Sequence, residues 1–237
     1  MKQLLEKSEQ EVLSQDSGIL TSPLQRRSFL QFAGASVAGL ALVAAGCTKD
    51  RDNTPPVSGG VTLDFKDDFG VLNFAYALEQ LEAAFYIQVA SNFASEFTED
   101  QKQKLNDIRL HEIAHREFFK KALGTAGIGN LEVNFSSINF SSKASVLATA
   151  KTFEDLGVAA YNGAGIRIKD DKYLVAAGQI VSVEARHAAY IRDLISNGSF
   201  ANAEVVDAKG LDLAYTPDKV LSMAAPFIKT KINVINL

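Results

Sequence analysis

Apolar residues recur every three to four positions in four long segments of the chain, which is the spacing of one face of an α-helix. The segments cover residues 69–93, 98–123, 143–168 and 170–196. Thr98 can cap the start of the second segment and Gly124 can end it, while Asn197 and Gly198 stop the fourth. Helices of this length suit a bundle. The pattern therefore predicts an all-α protein, an antiparallel four-helix bundle built from two helical hairpins.

Each apolar stripe is interrupted near its middle by residues that ionise. The second and fourth segments each carry a Glu and, three positions later, a His, whereas the first carries two Glu and the third carries one. These residues are Glu79, Glu82, Glu112, His115, Glu154, Glu184 and His187. Because they share the stripe with core residues, the pattern predicts that carboxylates and imidazoles face one another inside the bundle.

The two hairpins also repeat one arrangement. The distance along the chain from Glu79 to Glu154 is the same as that from Tyr86 to Tyr161. Each hairpin supplies a Glu, a Tyr seven positions later, and a Glu-x-x-His on its second helix. A pseudo-twofold axis would therefore bring six ligand residues together. They are Glu79, Glu112, His115, Glu154, Glu184 and His187.

A metal is the simplest way to keep such a core folded. A Glu-x-x-His pair alone is common on helix surfaces, but a buried unpaired carboxylate costs several kcal/mol. Two divalent cations would balance four carboxylates, with the two imidazoles as neutral ligands. Oxygen and nitrogen ligands select iron or manganese over metals that prefer thiolates. The sequence thus predicts a site for two metal ions, with iron favoured and manganese as the alternative.

Four further residues have open roles near this site. Glu82 faces inward, and it either replaces Glu79 as a ligand or lies behind the ligands; the repeat favours Glu79. Tyr86 and Tyr161 either donate a hydrogen bond or an electron to the site or simply fill the core. His111 is one residue off the stripe, which indicates a surface residue or a neighbour of the ligands rather than a ligand.

Composition excludes two classes of function. The net charge of -4 and the pI near 5.5 provide no basic surface for a phosphate backbone, so nucleic acid is not an expected partner. Cys47 is the only cysteine. The chain therefore has neither an internal disulfide nor a cysteine metal cluster.

The first residues are typical of an export signal. Arg26 and Arg27 precede an apolar run from Phe32 to Ala45, which is shorter than the ~20 residues that cross a bilayer. The paired arginines resemble the twin-arginine motif, which is read by a translocase for folded proteins. The segment that ends at Cys47 resembles a bacterial lipobox, in which the cysteine is lipidated. We therefore expect a protein exported to the bacterial cell envelope, on the periplasmic side or the cell surface, and held to the membrane only through a lipid on Cys47.

These features divide the chain into four parts. The signal is followed by a polar linker rich in Pro and Gly, the bundle, and a loop-rich extension with one short helix near residues 218–225. The parts are residues 1–47, 48–62, 63–198 and 199–237.

The ligand pattern resembles that of the ferritin-like superfamily over roughly residues 67–196. In that superfamily two helices supply one Glu each and two supply Glu-x-x-His, which together hold two iron or two manganese ions. The segments LNFAYALEQLEAAFY and FEDLGVAAYNGA, with the twin-arginine leader, look more narrowly like exported bacterial ferritin-like domain proteins, which are related to desiccation-associated proteins. That group has no firmly shared reaction, so the resemblance implies the metal site more strongly than a substrate.

Three functions fit this pattern. The favoured one is an oxidoreductase whose dinuclear site reacts with O2 or peroxide, either oxidising ferrous iron or protecting the cell against oxidative stress. The second is a dimanganese enzyme similar to catalase, and the third is a non-catalytic module that is stabilised by metal and protects the envelope during stress or drying. The sequence leaves the oligomeric state open, with a dimer as one option.

Overall fold

The structure is a computed structural model that describes residues 55–56 and 58–237. The predicted export signal with Arg26 and Arg27, the predicted lipidation site Cys47 and most of the linker lie outside the described residues. No helix of the described part has the length and apolar character needed to cross a bilayer.

The described residues form four long helices that pair as two antiparallel hairpins, and the predicted all-α bundle is confirmed. Helix α1 packs mainly against α2, and α3 packs mainly against α4. Contacts between α1 and α3 join the two hairpins. The helices are α1 (Asp68–Ser91), α2 (Glu99–Leu123), α3 (Lys143–Gly165) and α4 (Asp171–Ile195).

Each long helix begins after a residue whose side chain accepts a hydrogen bond from the first turn. Thr98 accepts from the amide of Gln101, and the Gln101 side chain accepts from the Thr98 amide, which completes a capping box. Asp67, Ser142 and Asp170 cap the other three helices. These caps satisfy amides that have no partner within the helix, so the local sequence fixes where each helix starts.

Helix α1 is buried on nearly all sides because the loop of residues 124–142 crosses over it. The side chain of Asn73 donates to the carbonyl of Ala126, and the Gln80 side chain accepts from the amide of Leu131 at 2.8 Å. Both amide side chains are buried, although the sequence spacing places them on a polar side of this helix. The loop needs partners for its own backbone groups, and these two side chains provide them.

Two short strands that the sequence pattern did not predict join the ends of the folded part. Strand β1 (Val61–Asp64) pairs in parallel with strand β2 (Ile232–Ile235), with Val61 opposite Ile232. The short helix near the C-terminal end is α5 (Pro217–Ala224). The residues beyond the bundle therefore return to its beginning, and Leu63 of β1 is fully buried against the core.

The segment between α4 and α5 is fixed to the bundle at two places. The buried side chain of Arg192 donates to the carboxylates of Asp155 and Glu204, each at 2.5 Å. The amide of Tyr215 donates to the carbonyl of Ala159 on α3. These bonds attach the segment to the hairpin of α3 and α4.

Candidate metal centre

The six predicted ligand residues meet in the middle of the bundle. The four glutamates are fully buried, His187 is 5% exposed and the side chain of His115 is 12% exposed. They come from all four long helices. The residues are Glu79 of α1, Glu112 and His115 of α2, Glu154 of α3, and Glu184 and His187 of α4.

Four of these residues form one set, called here the first donor group: Glu79, Glu112, His115 and Glu184. The Nδ1 atom of His115 lies 2.8 Å from Oε1 of Glu184, 3.5 Å from Oε2 of Glu79 and 3.6 Å from Oε2 of Glu112. One donor atom from each residue lies within 4.8 Å of all the others. Side chains from three helices therefore surround one small volume.

The second donor group repeats this geometry on the other side of the core, with Glu112, Glu154, Glu184 and His187. The Nδ1 atom of His187 lies 2.8 Å from Oε1 of Glu112, 3.4 Å from Oε2 of Glu154 and 3.8 Å from Oε2 of Glu184. Glu112 and Glu184 belong to both groups, and each offers one oxygen to either side. The two groups are thus related as the sequence repeat predicts.

Most of the unpaired polar atoms in the described core belong to these residues. Nine buried side-chain atoms of the described part have no hydrogen-bond partner, and eight of them lie in the two donor groups. The eight are Oε2 of Glu79, both carboxylate oxygens of Glu112 and of Glu184, Oε2 of Glu154, and Nδ1 of His115 and of His187. The imidazole nitrogens are close to oxygens but poorly aligned for hydrogen bonds. Buried polar atoms normally have hydrogen-bond partners. Eight converging oxygen and nitrogen atoms without such a partner therefore fit a cation site.

The two tyrosines of the repeat pair with the two glutamates that are not shared. The hydroxyl of Tyr86 donates to Oε1 of Glu154, and that of Tyr161 donates to Oε1 of Glu79. Each bond connects one hairpin to the other. Burial raises the pKa of both tyrosines well above the usual value, so both remain donors. The bonds leave only Oε2 of each glutamate free to face the donor groups.

Glu82 is buried but belongs to neither donor group. Its Oε1 atom lies against Gly157 of α3, where an added Cβ would come within 2.9 Å of it. Gly157 occupies the position in the third helix that matches Glu82 in the first. The second hairpin therefore lacks a carboxylate at this position, and the absence of a side chain makes room for Glu82.

His111 contacts the outer edge of one imidazole of the donor groups. Its Nδ1 atom lies 2.9 Å from Nε2 of His187, and the two rings are nearly coplanar, with 5° between their planes. The matching position beside His115 in the repeat is Val183. The two donor groups therefore differ in the residue behind the histidine. The sequence pattern placed His111 off the core stripe, as a surface residue or a neighbour of the ligands, and in the structure it is exposed and contacts His187.

Burial and the neighbouring charges shift the pKa values of these residues in opposite directions. Burial raises the pKa of Glu79 and of Glu154 to about 8. Burial also opposes ionisation of Glu112, but the close approach of the two histidines lowers its pKa to about 2. Although burial favours neutral His187, the carboxylates of Glu154 and Glu112 raise its pKa to about 12. The centre without metal therefore holds protons that a bound cation would displace.

The donor chemistry of the centre fits a hard or borderline cation. Each donor group offers three carboxylate oxygens and one imidazole nitrogen. This is the type of site that iron and manganese occupy, whereas thiolate ligands are missing from both groups. The four carboxylates supply the negative charge that two divalent ions would neutralise.

Comparison with known proteins gives one match. Residues 67–197, more than half of the chain, match the family model of the ferritin-like domain. The matched range contains both donor groups. A search of curated proteins gives no match.

Proposed function

The chain belongs to the ferritin-like domain family, and on that premise we propose that its core holds two divalent metal ions and uses them to reduce O2 or peroxide. Iron is the favoured metal and manganese the alternative. Ferrous iron would then be the electron donor, either as the resident metal or as the substrate that is oxidised.

The observation that carries this proposal is the set of eight unpaired donor atoms, arranged as two groups of four. Each group would hold one ion through one imidazole nitrogen, one oxygen of an unshared glutamate, and one oxygen each of Glu112 and Glu184. Two ferrous ions supply one electron each, so that O2 and two protons give H2O2, or H2O2 and two protons give two water molecules.

The surrounding residues would orient the donors and handle protons. Tyr161 donates a hydrogen bond to Oε1 of Glu79, and Tyr86 donates one to Oε1 of Glu154. These bonds keep Oε2 of each glutamate directed at its donor group. Burial raises the pKa of Glu82 well above its usual range, and the nearby carboxylates raise it further. Glu82 would therefore favour its protonated form and supply a proton next to the centre.

Metal analysis of the protein purified from its native cells tests the proposal directly. We expect two iron or manganese ions per chain, and we expect the reduced protein to consume O2 or peroxide. Glu112→Gln removes the negative charge that both groups share and replaces one of the two donor oxygens with an amide NH2, so it should lower the occupancy of both ions. Glu99→Gln, an exposed substitution on the same helix, is the matched control.

The outcomes separate three functions. Manganese with rapid peroxide disproportionation would indicate the catalase-like alternative. Two bound metals with no reaction toward either oxidant would leave a structural role, in which the metal only stabilises the bundle. A native protein without iron or manganese would contradict the proposal.

The proposed location of this chemistry is the cell envelope, reached through the twin-arginine translocase and kept there by a lipid on Cys47. The support is the Arg26-Arg27 pair ahead of the apolar run and the lipobox-like segment that ends at Cys47. A translocase for folded proteins would let the bundle close around iron or manganese before it meets copper and zinc, which bind such ligands more tightly.

Two variants test the location by cell fractionation. Replacing both Arg26 and Arg27 with Lys should leave folded, metal-loaded protein in the cytoplasm. Cys47→Ser should release a soluble envelope protein whose metal content is unchanged. Membrane attachment of the Cys47→Ser protein would contradict the lipid anchor, and export of the double Lys variant would contradict the route.

A further inference from the structure

An apolar cavity of about 30 Å³ lies at the end of the bundle where α1 and α4 begin. All four long helices line it, with Leu72 from α1, Phe119 from α2, Tyr161 from α3 and Ala177 from α4. These residues also belong to an apolar cluster that is separate from the main core of the bundle. The cavity is therefore lined by the helices that carry the candidate metal ligands, and part of its wall, including Tyr173 and Ala177 of α4, is only half-buried.

Small side chains keep this space open. Ala75, Ala160, Ala164 and Ala177 face the cavity at positions where larger apolar residues would fill it. Protein cores are normally packed at the density of organic crystals, with few voids larger than a water molecule. Together with Ala176, five alanines from three helices line one void and leave room that a better-packed sequence would have filled.

The lining determines what can occupy the cavity. A buried water needs two to four polar partners, and apolar cavities stay dry. The side chains of the lining provide two hydroxyl groups, those of Tyr161 and Tyr173, and the Tyr161 hydroxyl already donates to Glu79. Hydrogen peroxide, which needs the same kind of partners as water, is equally disfavoured. The volume has room for a diatomic molecule.

The cavity is one side chain away from the candidate metal centre. The ring of Tyr161 forms part of its wall, and the hydroxyl of the same residue donates to Glu79 of the first donor group. Tyr161 is 9% exposed, whereas Glu79 is fully buried. A molecule in the cavity would therefore contact the residue that separates it from the metal ligands.

We infer that this cavity binds O2 and supplies it to the first donor group past Tyr161, so that O2 rather than peroxide is the oxidant admitted at this end of the bundle. The role in supply depends on the proposed redox function, whereas the binding of a small apolar molecule does not. His111 is exposed and contacts His187 of the second donor group, so peroxide would reach the centre on that side without passing the cavity.

Xenon tests the binding site without any metal or reaction, because it is an apolar atom that enters dry cavities. Crystals of the protein pressurised with xenon should show one atom among Leu72, Phe119, Tyr161 and Ala177. Ala177→Val should abolish that peak, and Ala75→Val should do so from a different helix. Gly178→Val adds the same side chain to the neighbouring position, where an added Cβ meets no atom within 4 Å, and should leave xenon binding unchanged.

The kinetics of the ferrous-loaded protein test the supply of O2. We expect Ala177→Val and Ala75→Val each to slow O2 consumption by about tenfold, while the rate with H2O2 and the metal content stay as in the unsubstituted protein. Two ferrous ions release the two electrons that convert O2 and two protons to H2O2, so ferric absorbance and O2 uptake follow the same step. The two substitutions lie on different helices. If one variant fails to fold, the other still tests the supply route.

Each result leads to a different conclusion. The absence of xenon from the cavity of the unsubstituted protein would overturn the binding site. Unchanged O2 consumption in both filled variants, or an equal loss of the O2 and H2O2 rates, would overturn the supply route. If the unsubstituted protein binds xenon but never consumes O2, the redox function and the supply of O2 both fail, while the site for a small apolar molecule stands.

Discussion

At the scale of single residues, the two histidines of the centre differ in what lies behind them. His111 contacts Nε2 of His187, whereas the repeat has Val183 at the matching position beside His115. A hydrogen bond to the outer nitrogen of a ligand histidine fixes its tautomer and ring orientation. The second donor group therefore has a support that the first does not have.

We predict that His111→Val weakens the binding of one metal ion by about 10- to 100-fold and leaves the other unchanged. The reason is that His187 serves only the second donor group. Anaerobic calorimetric titration with ferrous or manganous ions measures the two steps. Val183→Ala changes the matching position without removing a polar contact and serves as the control. Equal weakening of both steps would show that His111 acts on the bundle as a whole.

The tyrosine hydroxyls give a second prediction at this scale. Tyr86→Phe and Tyr161→Phe each leave a buried carboxylate oxygen without its donor. Each should lower the free energy of unfolding of the metal-free protein by about 1–3 kcal/mol, measured by urea denaturation. Tyr190→Phe, a half-buried position outside the donor groups, should change it far less. Unaltered stability in both site variants would mean that the tyrosines only fill space.

At the scale of helices, two glycines should respond to alanine in opposite directions. Gly178 of α4 has no atom within 4 Å of an added Cβ, so Gly178→Ala should raise the free energy of unfolding by up to about 1 kcal/mol through helix propensity. At Gly163 of α3 an added Cβ would lie 1.8 Å from the carbonyl oxygen of Tyr215.

We expect Gly163→Ala to destabilise the protein, because the backbone of the C-terminal segment would have to move away from α3. The amide of Tyr215 would then lose its bond to Ala159. Hydrogen exchange of that amide measures the effect locally, and thermal unfolding measures it globally. An exchange rate equal to that of the unsubstituted protein would show that the segment is not held at this point.

The helices and the convergence of the six candidate ligand residues could be predicted from the sequence because both depend on one periodic signal. A Glu or His on an apolar stripe must enter the core, and each stripe is long enough for the spacing to be unambiguous. The strands β1 and β2 have only four residues each, and their pairing joins distant parts of the chain, so no local pattern indicates them. Asn73 and Gln80 show the same limit of local patterns. Their spacing indicates a polar side of α1 but does not indicate the loop that covers it.

At the scale of the whole molecule, the pH dependence of stability should change sign when metal binds. Without metal, burial raises the pKa of Glu79 and Glu154 from an ordinary 4.5 to about 8. The folded protein then keeps protons that the unfolded chain loses, so this contribution to stability is present below about pH 4.5 and is lost as the pH rises through about 8. His187, whose pKa is raised to about 12, acts in the same direction.

We therefore predict that the chelated protein becomes less stable between about pH 5 and about pH 9. The metal-loaded protein should gain stability over the same range, because bound cations require deprotonated ligands and protons compete less at higher pH. Urea denaturation with and without chelator measures both slopes. Parallel slopes in the two forms would show that the metal does not bind at these carboxylates.

The pairing of β1 with β2 also determines when the fold can be completed during synthesis. The side chain of Asn236 donates to Asp64, which lies 172 positions earlier in the chain. A ribosome releases β1 first and β2 only after the entire helical bundle, so the backbone groups on this edge of β1 have no strand to pair with until then. A nascent or shortened chain that ends before Ile232 exposes this edge even if its helices have formed. For a translocase that accepts only folded cargo, as in the proposed export route, the paired edge would distinguish a finished molecule from an unfinished one.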